Sequence, residues 1–430
     1  MSSGVELTFI IELSAVVVIA AMLAYLFSKF KQPVLISYIL TGFILGPAVL
    51  AVISSYTEIA SLSELGVAFL LYAIGAELNL NKLKQIRKGI IVTTIIQVAA
   101  CFTAGFFGAL YLLGMTPIQS LFVGAIVSIS STAIVLKYMS DQKMGSSLKA
   151  RIMLGVLLVQ DFIIMLFLPL IMNLSSKAFE WISIVEVIGK ILVILAIAML
   201  INRFFFRSIL KESFEKPDLL FMLSLASAFG FIWLSSLLDF SIIIGAFIGG
   251  LILTNYPYHL EIINQIKEIK SFFNMFFFVF LGMQIVSLTG LNIGVIILLL
   301  VISFVIKPIF LFLGTLFSGY DEKTSYYVAS GLTQISEFSL VLVQFAVAAG
   351  IFTSSLSSTF IIVISLAMIS TPYILNYNDF FEKITYRLFT KNLGKKLHKV
   401  FKVKVENVSN IENPTQPTQT PKLVTIPIFN

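Results

Sequence analysis

The sequence predicts an all-α polytopic membrane protein with about thirteen transmembrane helices. Three observations lead to this fold class. Hydrophobic residues make up 58% of the 430 residues and charged residues only 12%. The mean hydropathy is +1.00, and the apolar residues fall in long runs with Lys and Arg concentrated in every second loop. Soluble domains do not combine this composition with this pattern.

About thirteen apolar runs qualify as crossings, because roughly 20 helical residues span a hydrocarbon core of about 30 Å. In chain order the runs are Leu7–Phe27, Pro33–Ile53, Leu62–Leu78, Ile90–Leu113, Pro117–Tyr138, Ala150–Met172, Ser183–Ile201, Asp218–Leu238, Ser241–Asn255, Ser271–Val286, Leu291–Phe317, Thr324–Ala349 and Leu356–Asn376. The first run follows Glu6 and lacks a basic n-region, so we expect a retained helix and not a signal peptide.

The loop charges predict the orientation, since Lys and Arg accumulate on the cytoplasmic side. Lys and Arg residues follow the odd-numbered spans. Examples are Lys29 and Lys31 after the first span and Lys267 and Lys270 after the ninth. The intervening loops contain almost no Lys or Arg, and Lys177 is the main exception. The N-terminus is therefore expected outside and the C-terminus inside. This orientation explains the net charge of +7, which need not imply a nucleic-acid partner.

Three segments are expected along the chain. Residues 1–378 form one transmembrane domain, residues 379–404 form a basic cytoplasmic segment, and residues 405–430 form a tail too poor in apolar residues to fold. No room remains for a soluble catalytic or nucleotide-binding domain. The single cysteine lies in an apolar run, and His259 and His398 fall in a predicted loop and in the basic segment, so no cofactor or histidine-based metal centre is expected. The default location is the cell membrane.

Asp161 is the most informative residue, because it lies beside Gln160 in the middle of the sixth span. At ~1.5 Å per helical residue it is roughly 16 Å from the start of that span, far from either headgroup layer. An ionisable side chain at this depth costs several kcal/mol and indicates a pathway for ions or protons.

Polar sequence in the fifth and twelfth spans predicts interrupted helices. Thirteen spans can be divided into two sets of six with one extra span between them. Equivalent helices of the two sets are then seven spans apart and cross the membrane in opposite directions, which is the arrangement of inverted repeats. Residues 128–132 and 331–337 are the most polar mid-membrane stretches and occupy equivalent spans. The residues assigned to the interruptions are Ser130, Gly331, Thr333 and Gln334. The alternative is that these hydroxyls only bond their own helix.

Two further charged residues lie deep in the predicted membrane spans, and a third lies nearer the cytoplasmic surface. Lys307 in the eleventh span is expected to neutralise the negative C-terminal ends of broken helices, to pair with Asp161, or to take part in ion movement. Glu337 stands where the second half of the twelfth span begins and suits dipole compensation. Glu77, near the cytoplasmic end of the third span, is expected to anchor backbone or a basic loop.

Several motifs together resemble the monovalent cation:proton antiporter superfamily in its Kef-like branch. They lie in the expected order over the chain from the first span to about Asn376, which makes the resemblance specific. The motifs are Gly75–Leu78, Ser130–Ile134, Gly155–Asp161, Phe277–Met283, Ser303–Pro308 and Gln334–Phe338.

The resemblance implies an exchanger of Na⁺ or K⁺ for protons, with a dimerisation domain, a mobile core domain and a homodimeric assembly in the bilayer. Asp161 would bind cation and proton competitively, with oxygen ligands from Gln160, Ser131 and Thr132. Ile335 departs from the pattern where the family often has glycine, and Gln160 replaces the second acid of electrogenic relatives. The regulatory nucleotide-binding domain of Kef proteins is not expected within these residues.

Two other classes of function use similar residues. A cation channel, or a potassium efflux pathway without strict proton coupling, would also need polar groups within the membrane. An intramembrane aspartyl protease would need two cooperating carboxylates, and Glu337 is the only other candidate. The paired interruptions favour the exchanger.

Overall fold

A computed structural model describes residues 2–77, 86–141, 144, 147–174, 181–201, 204, 216–238, 241–253, 259–285 and 290–376. These ranges are helical apart from turns, caps and two internal interruptions, so the all-α prediction is confirmed. The predicted basic segment 379–404 and tail 405–430 lie outside the described residues.

The described helices are numbered α1 to α16 in chain order. They are α1 (Ser2–Lys29), α2 (Val34–Leu45), α3 (Tyr56–Glu77), α4 (Lys88–Phe107), α5 (Pro117–Ser128), α6 (Thr132–Asp141), α7 (Leu148–Leu174), α8 (Trp181–Ile201), α9 (Pro217–Leu237), α10 (Ile242–Leu253), α11 (His259–Met283), α12 (Ile293–Val301), α13 (Lys307–Phe317), α14 (Glu322–Gly331), α15 (Glu337–Ala348) and α16 (Ser354–Asn376). A π-helical turn, Gly108–Leu112, extends α4, and a second one, Ile302–Ile306, joins α12 to α13.

By length and composition alone, seven helices within the described ranges are suited to crossing a membrane. They are Thr8–Lys29, Tyr56–Glu77, Lys88–Leu112, Pro117–Ser140, Asp218–Leu237, Ile293–Phe317 and Ser354–Leu375. Shorter apolar helices, such as α2, α10 and α15, accompany them. The chain is therefore a multi-pass membrane protein.

The helices pack as two bundles. In the first bundle α3 packs against α10 and α11, α2 against α1 and α11, and α9 and α8 against α10. In the second bundle α4 packs against α5, α7 and α13, while α15 packs against α5 and α16. Apolar side chains of both bundles, among them Val67, Phe277 and Leu340, share one core cluster. The contact between the bundles thus includes an apolar core.

Glycines allow two helix pairs of the first bundle to approach closely. A Cβ at Gly42 of α2 would lie 1.8 Å from Val279 O, and a Cβ at Gly250 of α10 would lie 1.9 Å from Tyr72 O. Any larger side chain would force the backbones apart. Small residues at helix contacts are the usual means by which membrane helices gain van der Waals packing.

Two predicted spans have different bounds in the structure. The second was predicted to run from Pro33 to Ile53, but α2 ends at Leu45, because Gly46 and the proline after it stop the helix. The tenth was predicted to begin at Ser271, but α11 begins at His259. The predictions that His259, Lys267 and Lys270 lie in a loop were therefore wrong. Ile262 and Ile266 are buried one turn apart and extend the helix beyond the apolar run.

Glu12 holds the chain between α2 and α3 against α1. Its carboxylate, in a side chain that is only 5% exposed, accepts hydrogen bonds from Ser54 N (3.0 Å), Ser54 Oγ (2.5 Å) and Ser55 N (2.9 Å). Since hydrogen bonds to a charged acceptor contribute more than neutral ones, we expect Glu12→Ala to lower the free energy of unfolding by about 2 kcal/mol. Thermal unfolding in detergent would measure this loss. Glu64→Ala, on the exposed face of α3, is the control, and equal midpoints for the two variants would contradict the prediction.

Candidate ion-binding site

The first interruption separates α5 from α6. Ile129, directly after α5, has an extended backbone (φ −104°, ψ 153°), and the helix resumes at Thr132. The hydroxyls around the break bond local backbone: Ser128 Oγ donates to Gly124 O (2.6 Å), and Ser131 Oγ accepts from Ile134 N (3.4 Å). Ser and Thr can satisfy the backbone in this way, which explains why the helix ends and restarts here.

The second interruption separates α14 from α15. Gly331 is the last residue of α14, Thr333 and Gln334 lie in the break, and Ser336 caps α15 by accepting from Phe338 N (3.2 Å). Positive φ angles of non-glycine residues in the described ranges occur only at Lys31 and Ala51. The break therefore does not require glycine at position 335, and the isoleucine there is accommodated.

The two interruptions cross each other. Ser130 Oγ donates to Leu332 O (2.9 Å), and Gln334 Nε2 donates to Ser131 O (3.2 Å). Ser339 Oγ, on α15, donates to Ile126 O on α5 (2.6 Å). Each break thus supplies hydrogen-bond donors to unpaired carbonyl groups of the other, which is how irregular backbone is accommodated at membrane depth.

Lys307 joins both interruptions. Its side chain is 0% exposed, and Nζ donates to Ile129 O and to Gln334 O, each at 3.0 Å. The sequence left open whether Lys307 neutralises helix ends or pairs with Asp161. Within the described residues its polar partners are these carbonyl oxygens, and Asp161 is not among them. This geometry favours neutralisation of the negative helix ends.

Asp161 lies beside the first interruption. Its Oδ2 accepts a hydrogen bond from Thr132 Oγ1 (2.9 Å). Its Oδ1 is buried and, like the buried Oε1 of Gln334, has no hydrogen-bond partner among the described residues. Both of these oxygen atoms are acceptors that can ligate a cation.

The buried glutamine next to Asp161 has a different environment. Gln160 is 0% exposed, its Oε1 accepts from Ser130 N (3.0 Å), and its Nε2 donates to Gln97 Oε1 (2.6 Å). Both ends of the amide are occupied by protein groups. The geometry therefore favours a role in holding the backbone over the cation-ligand role expected from the sequence.

The two remaining predicted carboxylates occupy different settings. Glu337 is the first residue of α15, and its carboxylate accepts a short hydrogen bond from Ser131 Oγ, which places its negative charge at a helix N-terminus. Glu77 is half exposed at the end of α3 and forms an ion pair with Lys270 of α11 (3.6 Å).

Gln97 and Ser303 were not predicted as site residues from the sequence, although Ser303 lies in the motif Ser303–Pro308. Gln97 lies about a third of the way along the fourth apolar run. Ser303 Oγ, in the π-helical turn before Lys307, donates to Thr333 O. A polar side chain deep in an apolar run was the signal available for both residues, and it is the signal that identified Asp161.

Within the described ranges, no group of three or more His, Cys, Asp or Glu side chains is arranged to hold a metal ion. A cation at Asp161 would therefore rely on hydroxyl, amide and carbonyl oxygens. Interrupted helices that cross beside a buried carboxylate within a multi-pass membrane fold define an ion-coupled secondary transporter as the class of protein.

Comparison with known proteins agrees with this class. Residues 16–376 match the family described as "Sodium/hydrogen exchanger, transmembrane", and the chain belongs to that family. The resemblance to the monovalent cation:proton antiporter superfamily is thereby confirmed.

Curated relatives carry the names of transporters. "K(+) efflux antiporter 5" of Arabidopsis thaliana is 27% identical over 377 residues, covering 86% of this chain and 66% of that protein. "Iron transporter MagA" of Paramagnetospirillum magneticum is 27% identical over 374 residues, covering 86% of this chain and 84% of that protein. The chain spans 66%, 63% and 63% of the length of the three Arabidopsis relatives that it matches.

A solved structure has the same fold. The sodium proton antiporter MjNhaP1 from Methanocaldococcus jannaschii aligns with a TM-score of 0.61 at 19% sequence identity. The alignment covers 89% of this chain and 99% of that structure. A second structure of the same antiporter aligns with a TM-score of 0.59. The helices described above therefore follow a known antiporter fold over nearly the whole of that protein.

Proposed function

We propose that this protein is a secondary active transporter that exchanges a monovalent cation, Na⁺ or K⁺, for protons by alternating access. The observation that carries the proposal is the position of Asp161 beside the first interruption, where Oδ2 accepts from Thr132 Oγ1 and the buried Oδ1 has no hydrogen-bond partner among the described residues. No resident cofactor is needed, since the cation and the proton are the substrates.

The same site can hold either substrate. A cation bound at Asp161 Oδ1 would find further oxygens at Thr132 Oγ1, Ser131 Oγ and Gln334 Oε1, together with carbonyls of the interruptions. A proton on Asp161 removes the negative charge that a cation needs, so the two occupants exclude each other. Mutual exclusion combined with alternating access yields exchange.

A thirteen-crossing topology with two inverted six-helix repeats is part of the proposal, with the N-terminus outside and the C-terminus inside. Two pairs of helices support it. The interrupted pairs α5–α6 and α14–α15 occupy the fifth and twelfth spans. Lys88–Leu112 and Ile293–Phe317, in the fourth and eleventh spans, each contain a π-helical turn, so similar irregularities recur seven spans apart.

The two bundles suit two different roles in a homodimer in the cell membrane. The bundle of α4–α7 and α12–α16 contains Asp161, Lys307 and both interruptions, and we assign it as the mobile core. The bundle of α1–α3 and α8–α11 would provide the dimer interface. The contact between them has an apolar core. It also contains hydrogen bonds from Gln284 Nε2 to Gln344 Oε1 (2.5 Å) and from Lys137 Nζ to Gln32 O (2.6 Å), which would have to exchange partners when the bundles slide.

The identity of the transported cation is the first property to test, since the names of the similar proteins mention potassium, sodium and iron. In proteoliposomes that hold a pH gradient and an internal pH-sensitive dye, we expect addition of Na⁺ or K⁺ to dissipate the gradient. Li⁺ is tested as a third cation for comparison. The ion that gives the fastest dissipation is the preferred substrate. Flux of a radioactive cation without any proton movement would contradict the proposal and indicate a channel.

A further inference from the structure

A pair of buried glutamines connects the first interruption to the helices behind it. Gln97 lies on α4 and Gln160 on α7, and both side chains are 0% exposed. Their amides form a continuous series of hydrogen bonds that begins and ends on the backbone of the interruption.

The series contacts both sides of Ile129. Ser130 N donates to Gln160 Oε1 (3.0 Å), Gln160 Nε2 donates to Gln97 Oε1 (2.6 Å), and Gln97 Nε2 donates to Ser128 O (3.0 Å). Ser128 is the last residue of α5. One amide therefore binds the carbonyl at the end of the helix, and the other binds the N–H of the extended backbone.

These two backbone groups lack helical partners because the helix is interrupted. A helix leaves its last carbonyls unsatisfied, and an unpaired N–H or C=O at membrane depth is strongly destabilising. The two glutamines supply the missing partners from outside the helix. In doing so they fix where the backbone leaves α5, and hence where Ser131 and Thr132 place their oxygens.

We propose that Gln97 is a positioning residue for the cation site and acts through Gln160. This inference rests on the proposed function and adds a residue of the fourth span to the site. Gln97 itself contacts no transported ion. It presents Gln160 to the interruption, and the interruption presents the hydroxyl of Thr132 to Asp161.

Thr94, one turn earlier on α4, provides a matched control. It is also 0% exposed, but its Oγ1 donates to Ile90 O of its own helix (2.8 Å). Replacing it with valine removes a buried hydroxyl from the same helix without touching the interruption. A general effect of altering buried polar groups in α4 would appear in both variants, whereas a positioning effect would appear only at Gln97.

The test compares Gln97→Met with Thr94→Val in the full chain, reconstituted in proteoliposomes. We expect Gln97→Met to raise the apparent KM for the preferred cation about tenfold, with the maximal rate changed by no more than about twofold. Thr94→Val should keep the wild-type KM. In a Gln160→Met background, Gln97→Met should add less than about twofold, because the residue through which it acts is already missing.

Cation-dependent thermal stabilisation in detergent provides a readout that does not need transport. We expect added cation to raise the melting temperature of the wild type and of Thr94→Val, and to raise that of Gln97→Met only at about tenfold higher concentration. Cys101 is the single cysteine of the chain and accepts from Gln97 Nε2 (3.3 Å), so faster alkylation of its thiol in Gln97→Met would report the loosened packing.

The outcomes separate this inference from the proposed function. A wild type that exchanges, together with a Gln97→Met variant of unchanged KM and unchanged thermal response, overturns the role of Gln97 alone. A wild type that exchanges no cation overturns the proposed function, and the thermal response still decides whether Gln97 affects binding. If Gln97→Met does not fold, Gln97→Asn keeps the amide but is one methylene shorter, so it cannot hold the hydrogen bonds to Gln160 and to Ser128 O at their present lengths. A wild-type KM in that variant would overturn the inference.

Discussion

Asp161→Asn is expected to abolish cation/proton exchange and to leave a folded protein. Asparagine has nearly the same shape, and its carbonyl oxygen can still accept from Thr132 Oγ1, so the local packing is retained. It can neither carry a negative charge nor exchange a proton near neutral pH. The variant therefore lacks the group for which the two substrates compete, and we expect the exchange rate to fall by more than about 100-fold.

The measurement is cation-dependent dissipation of a pH gradient in proteoliposomes, compared with protein-free liposomes. Asp218→Asn is the matched control, because Asp218 is exposed in the first turn of α9. We expect this variant to exchange at the wild-type rate. Gel filtration and thermal unfolding in detergent establish that both variants are folded. A monodisperse Asp161→Asn protein with wild-type exchange would show that a different carboxylate carries the proton.

Asp161 as a candidate site residue and the two interruptions could be predicted from the sequence, because both predictions depend on rules that act along the chain. A carboxylate in the middle of an apolar run is costly wherever it faces, so its position alone indicates a role. Clusters of hydroxyls in equivalent spans likewise indicate interruptions from their spacing. The structure places the breaks at these positions.

Hydrogen-bond partners could not be predicted in this way. The sequence gives the depth of Gln160 within its span but not the direction in which its side chain points. That direction depends on the packing of α7 against α4, which brings Gln97 within 2.6 Å. The same limit applies to Lys307, for which depth alone is compatible with bonds to helix ends and with an ion pair to Asp161.

The predicted helix bounds were wrong where the apolar run and the helix do not coincide. The tenth span was placed at the start of its apolar run, but a helix continues into polar sequence when every third or fourth residue can be buried, as Ile262 and Ile266 are. Ile335 stands where the resemblance to the family led us to look for glycine. In the structure Ile335 does not adopt a positive φ, so the interruption does not require glycine at this position.

Lys307→Met is expected to destabilise the protein more than it alters the exchange mechanism. Methionine has a similar length but no donors, so Ile129 O and Gln334 O would lose the ammonium group that binds both at 3.0 Å. Leaving two buried carbonyls unpaired costs about 1–3 kcal/mol each, and the gain from removing a buried charge offsets only part of this. We expect a net loss of about 2–4 kcal/mol in the free energy of unfolding, visible as a lower midpoint of thermal unfolding in detergent.

A role for Lys307 at the helix ends can be distinguished from a role as a proton carrier. If Lys307 only neutralises the C-terminal ends of the broken helices, the folded fraction of Lys307→Met should keep the wild-type KM for the cation and the wild-type dependence of exchange on membrane potential. If Lys307 carries a proton in each cycle, its removal changes the charge moved per cation, and exchange should gain or lose sensitivity to the potential. Because the structure gives Nζ two carbonyl partners and no carboxylate among the described residues, we expect the stability to fall and the voltage dependence to stay. Unchanged stability with altered voltage dependence would reverse this assignment.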